Sequence, residues 1–409
     1  MSLQNDAVEI YEYAIKCVDP YRETVGKIKE LLGEASDITV LAVGKAAVPM
    51  ARAAEDTLGG RIKTGLCVTK YNHTGDFSPT YFEIIEASHP ISDENSIKAA
   101  ERAVEIADSL TEKDTVLVLL SGGASALLEK STVPAEMQRR ITEKLLKRGA
   151  AIEEINAVRS RLSIVKGGKF AERCFPARVV TAALSDVLSN DKTVIGSGIT
   201  VHGKNDEKAV LSIAEKYLYD EPAELFDALK RYGEKPINDG GYVFAGDITQ
   251  LCLAAAEKAR RLGYITEMSD EMLTGEARAA AERTLKHALS AKDGTKRCFV
   301  FGGETTVTVK GSGLGGRNQE MALCAAIELD GVDGVRFVSV GSDGTDGPTD
   351  AAGGSVDGRT AALIRRAGLC PAEMLENNDS YHALKACGGL IITGATGTNV
   401  NDLTFILTE

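Results

Sequence analysis

The stretch DTVLVLLSGGASALLE, residues 114–129, decides the fold class. Its first half is an unbroken apolar run, two glycines interrupt it, and small and apolar residues follow at helical spacing. A strand that is apolar throughout, rather than at every second position, is covered on both faces, as in a parallel sheet between helices. The stretch therefore predicts a β-strand, a glycine turn and a helix within an α/β fold.

The same order of apolar strand, short turn and helix recurs along the chain. Residues 37–59 repeat it and residues 177–187 form another apolar strand, so we expect two successive series, each of α/β/α layers. Residues 219–243 contain two prolines and paired glycines, which are typical of a boundary. We predict a domain of residues 1–236 with a mostly parallel sheet, a smaller domain of residues 237–409, and a functional site in the cleft between them.

Composition and charge limit the classes of function. The 409 residues carry a formal net charge of -12 and no long basic run, so a surface that neutralises nucleic-acid phosphates is not expected. Eight cysteines are scattered without any C-x-x-C pair, as in a reduced cytoplasmic protein. The N-terminus lacks a signal-peptide pattern, and no apolar run approaches the roughly 18 residues that cross a bilayer. We therefore expect a soluble, cytoplasmic protein that acts on a small molecule, without a nucleic-acid or membrane partner.

The turn VGKA, residues 43–46, stands at the end of an apolar strand. Gly44 and Lys45 occupy a helix start, where a cation opposes the helix dipole unless an anion lies between them. Lys45 is thus a candidate for binding a phosphate or carboxylate, with Gly44 as a further contact to substrate or nucleotide, and a solvated lysine in an ordinary turn is the alternative. The chain has no G-x-x-x-x-G-K-[ST] motif, so any nucleotide is bound in another way.

The glycine turn of the opening stretch offers a second anion site. Its backbone N–H groups could ring a phosphate at the helix start, although a tight turn with a helix cap would use the same residues. The candidate contacts are Ser121, Gly122, Gly123 and Ser125. On the basic segment of residues 156–171, only Asn156 and Lys166 join the candidates, because a basic helix face is usually solvated.

Aspartates follow two of the expected strands. Asp186 in ALSDV can hold Mg²⁺, accept a proton from a substrate hydroxyl, or merely cap the next turn. The loop GSDGTDGPTDAAGG, residues 341–354, places Asp343 and Asp346 beside glycines. Oxygen ligands in a loop suit Mg²⁺ that phosphates also hold, but Asp and Gly dominate ordinary turns as well. We expect no zinc site, because His89 has no partners at zinc-site spacing.

A glycine-rich segment precedes another helix start. KGSGLGGRNQE, residues 310–320, follows a predicted hairpin over residues 297–311 and satisfies G-x-G-x-x-G, a weak dinucleotide signal. The helix begins with Arg317, whose planar fork suits bidentate binding of phosphate or carboxylate. An exposed first-turn arginine is the alternative. Further candidates for contacts with substrate or nucleotide are Gly313, Gly315, Gly316 and Asn318.

Together these segments resemble the glycerate 2-kinase family, whose C-terminal part is known as the MOFRL domain. The matching segments include AVGKAA, EASHPISD, LLSGGASALL, NAVRSRLSIVKGGKFA, GGETTVTVKGSGLGGRNQEMAL, VGSDGTDGPTDAAGG and TGATGTNVNDL. The resemblance implies a Rossmann-like first domain, a mixed α/β MOFRL-type second domain, and phosphorylation of D-glycerate at its 2-hydroxyl by ATP with Mg²⁺. Lys45 and Arg317 match the family's active-site lysine and arginine, and Asp186 and Asp343 match its acidic positions.

The resemblance leads to a mechanistic expectation. Lys45 and Arg317, from different domains, would converge on the γ-phosphate and the glycerate carboxylate, because phosphoryl transfer needs charge neutralisation and alignment. Asp186 would orient or deprotonate the 2-hydroxyl. Asp343, together with Asp346, would bind Mg²⁺.

Two positions depart from the family pattern, and two other functions stay open. Ile199 and Ala395 stand where proline is usual, which alters loop stiffness near the expected site. An NAD(P)-dependent hydroxypyruvate reductase would use GSGLGG as its pyrophosphate turn, but the polar start of the following helix counts against it. A sensor of sugar acids or nucleotides would need a partner module that we do not find in the sequence. The oligomeric state also stays open, with a homodimer among the alternatives.

Overall fold

Two β-sheets with their helices organise the chain. The structure is a computed structural model that describes residues 2–203, 206–230 and 233–409. The helices, in chain order, are α1 (Leu3–Lys16), α2 (Pro20–Leu32), α3 (Ala47–Leu58), α4 (Glu94–Asp108), α5 (Ala124–Leu127), α6 (Ala135–Lys147), α7 (Ile152–Leu162), α8 (Lys169–Cys174), α9 (Glu207–Tyr217), α10 (Ala223–Lys230), α11 (Ile248–Arg261), α12 (Ala277–Ser290), α13 (Arg317–Glu328), α14 (Thr360–Arg366), α15 (Pro371–Glu376) and α16 (Ser380–Cys387). None of the helices within these described ranges has the length and apolar character needed to cross a bilayer.

The strands form one mostly parallel and one mixed sheet. They are β1 (Ile38–Val43), β2 (Ile62–Lys70), β3 (Phe82–Ala87), β4 (Thr115–Leu120), β5 (Arg178–Leu184), β6 (Asp239–Gly246), β7 (Ile265–Met268), β8 (Arg297–Gly303), β9 (Val335–Gly341), β10 (Gly353–Asp357), β11 (Leu390–Ile391) and β12 (Asp402–Thr408). The predicted fold class, α/β with a second mixed unit, is confirmed.

The first sheet has the strand order β3-β2-β1-β4-β5-β6. In it, β2 pairs in parallel with β1 and β3, and β4 pairs in parallel with β1 and β5. Every residue of β1 and β4 is buried, which is why both strands are apolar almost throughout. Because parallel strands end at the same edge, the turns after β1, β4 and β5 lie side by side, where open α/β sheets bind ligands.

The second sheet has the order β11-β10-β9-β12-β8-β7 and is mixed. Its central strand, β12, pairs antiparallel with β8 and β9, while β7 and β8 pair in parallel. Asp402, the first residue of β12, lies opposite Gly303 of β8 and Gly341 of β9. This register brings together the start of β12 and the two loops that follow β8 and β9.

The predicted hairpin over residues 297–311 is partly wrong. Its first half is β8, but the described chain beyond Gly303 makes an isolated parallel bridge between Thr306 and Glu276 in place of a returning strand. Thr306 N donates to Gly275 O (2.8 Å). The segment thus satisfies its backbone against the residues before α12.

Contacts group the chain into two units that do not follow sequence order. The parallel-sheet unit comprises Pro20–Ser185 and Asn190–Ala245, and the mixed-sheet unit comprises the chain up to Asp19, Asp186–Ser189 and Gly246–Glu409. The N-terminal α1 belongs to the mixed-sheet unit because it packs on α11, and because Tyr264 Oη donates to the buried Asp6 Oδ2 (2.7 Å). The domain boundary that we predict after residue 236 stays a prediction.

Candidate functional site

The turns after β1 and β4 interlock at the carboxyl edge of the parallel sheet. Lys45 N donates to Gly122 O (2.9 Å), and Ala46 N donates to the buried Ser121 Oγ (3.0 Å). Gly44 has a φ of 133°, and a Cβ there would lie 2.1 Å from Ser121 Oγ, so this position requires glycine. Gly44 and Ser121 therefore hold the two turns in place.

The side chains of Lys45 and His89 meet above the second glycine of the β4 turn. A Cβ on Gly123 would lie 3.3 Å from Lys45 Cγ and 3.0 Å from His89 Cδ2. Lys45 is half-buried, and its Nζ has no hydrogen-bond or ion-pair partner among the residues that the structure describes. Burial, and then the charges of Lys45, Lys70 and His73, lower the pKa of His89. The structure thus places beside Lys45 a histidine that we did not predict as a site residue.

The other candidates in the parallel-sheet unit differ in accessibility. Ser125 Oγ lies 2.7 Å from Ser197 Oγ, and Asn156 is half-buried on α7. Lys166 is fully buried in an ion pair with the buried Glu129, and burial lowers the pKa of Lys166. Lys166 is therefore an internal cation, and its burial does not support direct contact with a substrate.

Arg317, the first residue of α13, is held by carboxylates from two strand ends. Its Nε and Nη2 donate to Asp402 Oδ2 (2.5 Å) and Oδ1 (3.0 Å), and its Nη1 lies 2.9 Å from Glu304 Oε1. Burial raises the pKa of Asp402 to about 6, against the lowering effect of Arg317. Burial opposes the charge of Arg317, but the hydrogen bond and charge of Asp402 raise its pKa. The guanidinium is therefore charged and fixed in orientation.

Asp186 joins the same group through Asn401. Asn401 Nδ2 donates to both Asp186 O and Glu304 Oε2, each at 3.0 Å. Asp186 itself is half-buried and stands two residues past the end of β5. We call Asp186, Glu304, Arg317, Asn401 and Asp402 the arginine cluster. Of these five residues, the sequence predicted Asp186 and Arg317.

Asp346 caps the start of α13. Its Oδ1 accepts from Asn318 N (3.1 Å) and Nδ2 (3.3 Å), and its Oδ2 accepts from Gln319 N (2.8 Å) and Nε2 (3.1 Å). Burial raises the pKa of Asp346, although these hydrogen bonds lower it. Asn318 Oδ1 accepts in turn from Ser339 Oγ (2.6 Å), and a Cβ on Gly316 would lie 2.3 Å from Asp346 Cγ. Asp346, Asn318 and Gly316 thus build the helix start, and both Asp346 oxygens already have partners.

The glycines of the loop before α13 pack against the segment that enters α16. A Cβ would lie 2.4 Å from Asp379 Cβ at Gly313, and 2.1 Å from Ser380 Oγ at Gly315. Gly313 N also donates to Asn377 O (2.9 Å). Close packing therefore accounts for these glycines, and the Gly313 amide gives no support to the predicted contact with substrate or nucleotide, because it is already bonded.

Asp343 stands two residues past the end of β9 and is half-buried. Its Oδ1 accepts from Thr345 N (2.9 Å) and Thr345 Oγ1 (3.2 Å). Within the described ranges, no three or more His, Cys, Asp or Glu side chains are arranged to hold a metal ion. Mg²⁺ in nucleotide sites usually takes one or two carboxylates besides phosphates and water. Asp343 fits that donor set as a single ligand, whereas the capping role of Asp346 does not.

A cavity of about 310 Å³ lies in another part of the parallel-sheet unit. Its lining includes the charged residues Arg161, Lys169, Glu172, Arg173 and Lys235, and none of the predicted site residues. Three of its cations already have partners in the protein: Arg161 pairs with Glu207, Arg173 pairs with Asp108, and Lys169 Nζ donates to Ser160 O (2.6 Å). We therefore assign this cavity no part in the site.

Sequence reasoning missed His89, Glu304, Asn401 and Asp402 for a common reason. Each lies just past a strand end or at a strand start, but reaches the predicted cations only through the pairing of strands that are distant in sequence. Their positions at strand ends could have been recognised from the sequence. The antiparallel register that brings Glu304, Asn401 and Asp402 together could not.

Comparisons with known proteins cover almost the whole chain. Residues 6–230 match the model of a domain of unknown function, DUF4147, and residues 297–402 match the MOFRL family. A D-glycerate 2-kinase of Thermotoga maritima is 45% identical over 98% of this chain and 97% of its own length. A protein of Agrobacterium vitis, provisionally named a hydroxypyruvate reductase, is 36% identical over 97% of this chain and 93% of its own. The crystal structure of a glycerate kinase from Thermotoga maritima superposes with a TM-score of 0.95 at 44% identity, covering 100% of this chain and 99% of that one.

Proposed function

This chain belongs to the glycerate 2-kinase family with a C-terminal MOFRL domain, and from that membership we propose that it phosphorylates D-glycerate. The reaction transfers the γ-phosphoryl group of ATP to the 2-hydroxyl and yields 2-phosphoglycerate and ADP. Membership gives the reaction class, phosphotransfer to an alcohol. The particular hydroxyl and the assignment of roles to residues are our proposal.

The observation that supports this function best is the fixed guanidinium of Arg317. It is paired on one edge with Asp402 and also with Glu304, yet its side chain remains 35% exposed. A cation held in place before the reaction stabilises negative charge that spreads over the transferring phosphoryl oxygens, at no cost of reorganisation. We assign Arg317 to the γ-phosphate.

Lys45 supplies the second cation. Its Nζ is not neutralised by any described carboxylate, and it stands at the edge where α/β sheets bind ligands. A compact ammonium suits the carboxylate of a small acid. We assign Lys45 to the glycerate carboxylate and propose that both cations act on one bound pair of ATP and glycerate.

Asp186 is the proposed proton acceptor. As the 2-hydroxyl oxygen bonds to the γ-phosphorus, the bond from that phosphorus to the ADP oxygen breaks, and the hydroxyl proton passes to the Asp186 carboxylate. The hydrogen bond from Asn401 to the Asp186 carbonyl restrains the backbone at this point. A restrained backbone favours a fixed approach of the carboxylate to the hydroxyl.

Backbone amides and one metal ion complete the proposed site. We propose that the turn at Gly122, Gly123 and Ser125 contacts phosphate oxygens through its backbone N–H groups. Asp343 would hold a Mg²⁺ ion that arrives with ATP. When bound, Mg²⁺ supplies neutralisation of the phosphate charge. We leave Asp346 out of the ligand set because both of its oxygens cap α13.

The reductase alternative loses its main structural support. A pyrophosphate turn needs glycines that leave space for a ligand. Gly313 and Gly315 instead face Asp379 and Ser380 at distances that leave no room even for a methyl group. We therefore favour the kinase over a nicotinamide enzyme.

The decisive experiment is ³¹P NMR of the product after incubation with D-glycerate and Mg·ATP. We expect one new phosphomonoester signal, at the position of authentic 2-phosphoglycerate, and a much slower appearance of that signal with Arg317→Ala. A parallel incubation with hydroxypyruvate and NADH should leave the absorbance unchanged. ATP left intact, or NADH consumed, would overturn the proposal.

A further inference from the structure

His89 crosses the carboxyl edge of the parallel sheet. It follows β3 by two residues, yet its imidazole reaches the turn after β4. In the order β3-β2-β1-β4, two strands lie between those ends, and a strand spacing of about 4.8 Å makes that span roughly 14 Å. The imidazole of His89 thus links the end of β3 to the turn after β4, although two strands lie between them in the sheet.

At the end of this crossing, His89 faces Lys45 across a glycine. A Cβ on Gly123 would lie 3.0 Å from His89 Cδ2, 3.3 Å from His89 Nε2 and 3.3 Å from Lys45 Cγ. Gly123 itself has a φ of 89°, which favours glycine. The backbone conformation and the packing of both side chains thus require glycine at position 123. The imidazole and the aliphatic part of Lys45 lie side by side above it.

Neither of the two side chains is committed to another group of the protein. Among the residues that the structure describes, the His89 ring nitrogens and Lys45 Nζ have no hydrogen-bond partner. Both side chains are half-buried. Two polar side chains that are half-buried at a ligand-binding edge, and that have no hydrogen-bond partner in the described protein, are available to a bound molecule.

The surrounding charges define the chemistry that His89 can offer. The groups that face it are Lys45 after β1, Lys70 at the end of β2, and His73 in the following loop. Burial and these cations lower the pKa of His89, so its imidazole is neutral at neutral pH. A neutral imidazole donates from one nitrogen and accepts at the other, which suits an alcohol better than an anion.

We propose that His89 is a specificity-determining residue that binds the 3-hydroxyl of glycerate, the hydroxyl that is not phosphorylated, while Lys45 binds the adjacent carboxylate. This inference rests on the proposed function, in which Asp186 takes the 2-hydroxyl. It adds to that function a reason for preferring a dihydroxy acid over a monohydroxy acid such as lactate.

The test compares D-glycerate with D-lactate, which lacks the 3-hydroxyl, in wild type, His89→Ala and His89→Asn. We expect His89→Ala to raise the KM for D-glycerate by about 10- to 100-fold, as for the loss of a hydrogen bond to a buried polar group, with little change in the KM for ATP. The ratio of kcat/KM for D-glycerate to kcat/KM for D-lactate should fall by the same factor. His89→Asn, which retains a donor and an acceptor, should recover part of it. His287→Asn, at an exposed histidine of α12, is the matched control and should leave all of these constants unchanged.

The pH dependence adds a readout that a purely structural role would not change. In wild type the KM for D-glycerate should rise as the pH falls through the lowered pKa of His89, because the protonated ring has lost its acceptor. That rise should be absent from His89→Asn. Calorimetric titration of D-glycerate tests binding without turnover, and thermal unfolding checks that each variant is folded.

The failures of the two proposals are distinguishable. An inactive wild type that still binds D-glycerate through His89 would overturn the kinase function alone. An active wild type whose His89→Ala variant keeps the KM for D-glycerate and the preference over D-lactate would overturn the role of His89.

Discussion

Arg317 places a positive charge at the positive end of a helix, and three acids of the protein compensate for it. Asp402 and Glu304 pair with the guanidinium, and Asp346 accepts hydrogen bonds from the first amides of α13. The acids already present offset the unfavourable interaction with the helix dipole, so the fork is held in place before any substrate arrives.

The burial of Asp402 predicts an unusual pH dependence of stability. Its pKa is raised from 3.8 to about 6, so between these values the native state holds a proton that the unfolded chain has released. Unfolding free energy must therefore fall as the pH rises through this window, by at most about 1.4 kcal/mol per pH unit from this residue. Asp402→Asn cannot titrate and should lack this component.

Urea unfolding of wild type and Asp402→Asn between about pH 4 and about pH 6.5 measures this effect, in the window set by the usual and raised pKa values. We expect the variant to gain stability relative to wild type as the pH increases. Two stability curves that run parallel across the window would show that Asp402 titrates normally.

At the scale of the element, the loop before α13 shows why a motif can mislead. GSGLGG has the composition of a phosphate-binding loop, but Gly316 is fixed by packing against Asp346, and Gly311, Gly313 and Gly315 are fixed by packing against residues 377–380. That contact joins segments more than 60 residues apart, and nothing in the local composition indicates it. The adjoining strand, turn and helix units were predictable because their signal is local: an apolar run, a glycine and a helical period.

Packing at Gly315 can be measured with a double-mutant cycle. A Cβ there would lie 2.1 Å from Ser380 Oγ but 3.4 Å from Ser380 Cβ, so the hydroxyl alone creates the clash. Gly315→Ala should cost about 1–3 kcal/mol of unfolding free energy. Ser380 Oγ is buried without a hydrogen-bond partner in the described structure, so Ser380→Ala should change stability by less than about 1 kcal/mol. The double variant should be close to Ser380→Ala alone.

A glycine without such a contact provides the control for this cycle. Gly26 is exposed in α2 with nothing within 4 Å of its would-be Cβ, so Gly26→Ala should stabilise by about 0.5–1 kcal/mol. If Gly315→Ala is as harmless as Gly26→Ala, or if Ser380→Ala does not rescue it, close packing is not the reason for the glycine.

Helix capping and metal binding make opposite predictions for two aspartates in one loop. Asp346→Asn should cost about 1–3 kcal/mol of stability, because its amide N–H₂ would face the donors of α13. Asp343→Asn should leave stability nearly unchanged, since its Oδ1 can still accept from Thr345, and should instead raise the Mg²⁺ concentration needed for half-maximal activity. Titrating Mg²⁺ in the kinase assay and unfolding each variant in urea separates the two roles. Equal stability losses, or a Mg²⁺ requirement that shifts only in Asp346→Asn, would contradict this division.

At the scale of the whole molecule, sequence reasoning was limited by strand pairing. The parallel sheet followed from its apolar strands, whose order along the chain and shared carboxyl edge are tied to the connecting helices. The mixed sheet is built around β12, the last strand, and antiparallel pairing with β8 and β9 has no comparable sequence rule. Glu304, Asn401 and Asp402 of the arginine cluster depend on that register and could not be predicted from the sequence. Lys45, Gly123 and Asp186 lie in local strand-and-turn patterns and were named as candidates.

The prediction that concerns the whole molecule is that Lys45 and Arg317, far apart in sequence, act on the same transition state. Lys45→Ala and Arg317→Ala should each lower kcat/KM for D-glycerate by at least about 100-fold, the effect of removing a preorganised charge-stabilising group. If both cations serve one reacting complex, the double variant should be far less impaired than the product of the two losses, because groups that act as a unit are strongly non-additive. Arg52→Ala, which removes a cation of α3 paired with the exposed Asp76, is the control and should add nothing to either variant. Steady-state kinetics of the four enzymes in the cycle measure this coupling. If the two losses in kcat/KM simply multiply, the two cations contribute to separate events. The proposed assignment of Lys45 to the carboxylate and Arg317 to the γ-phosphate of one bound pair would then have to be abandoned.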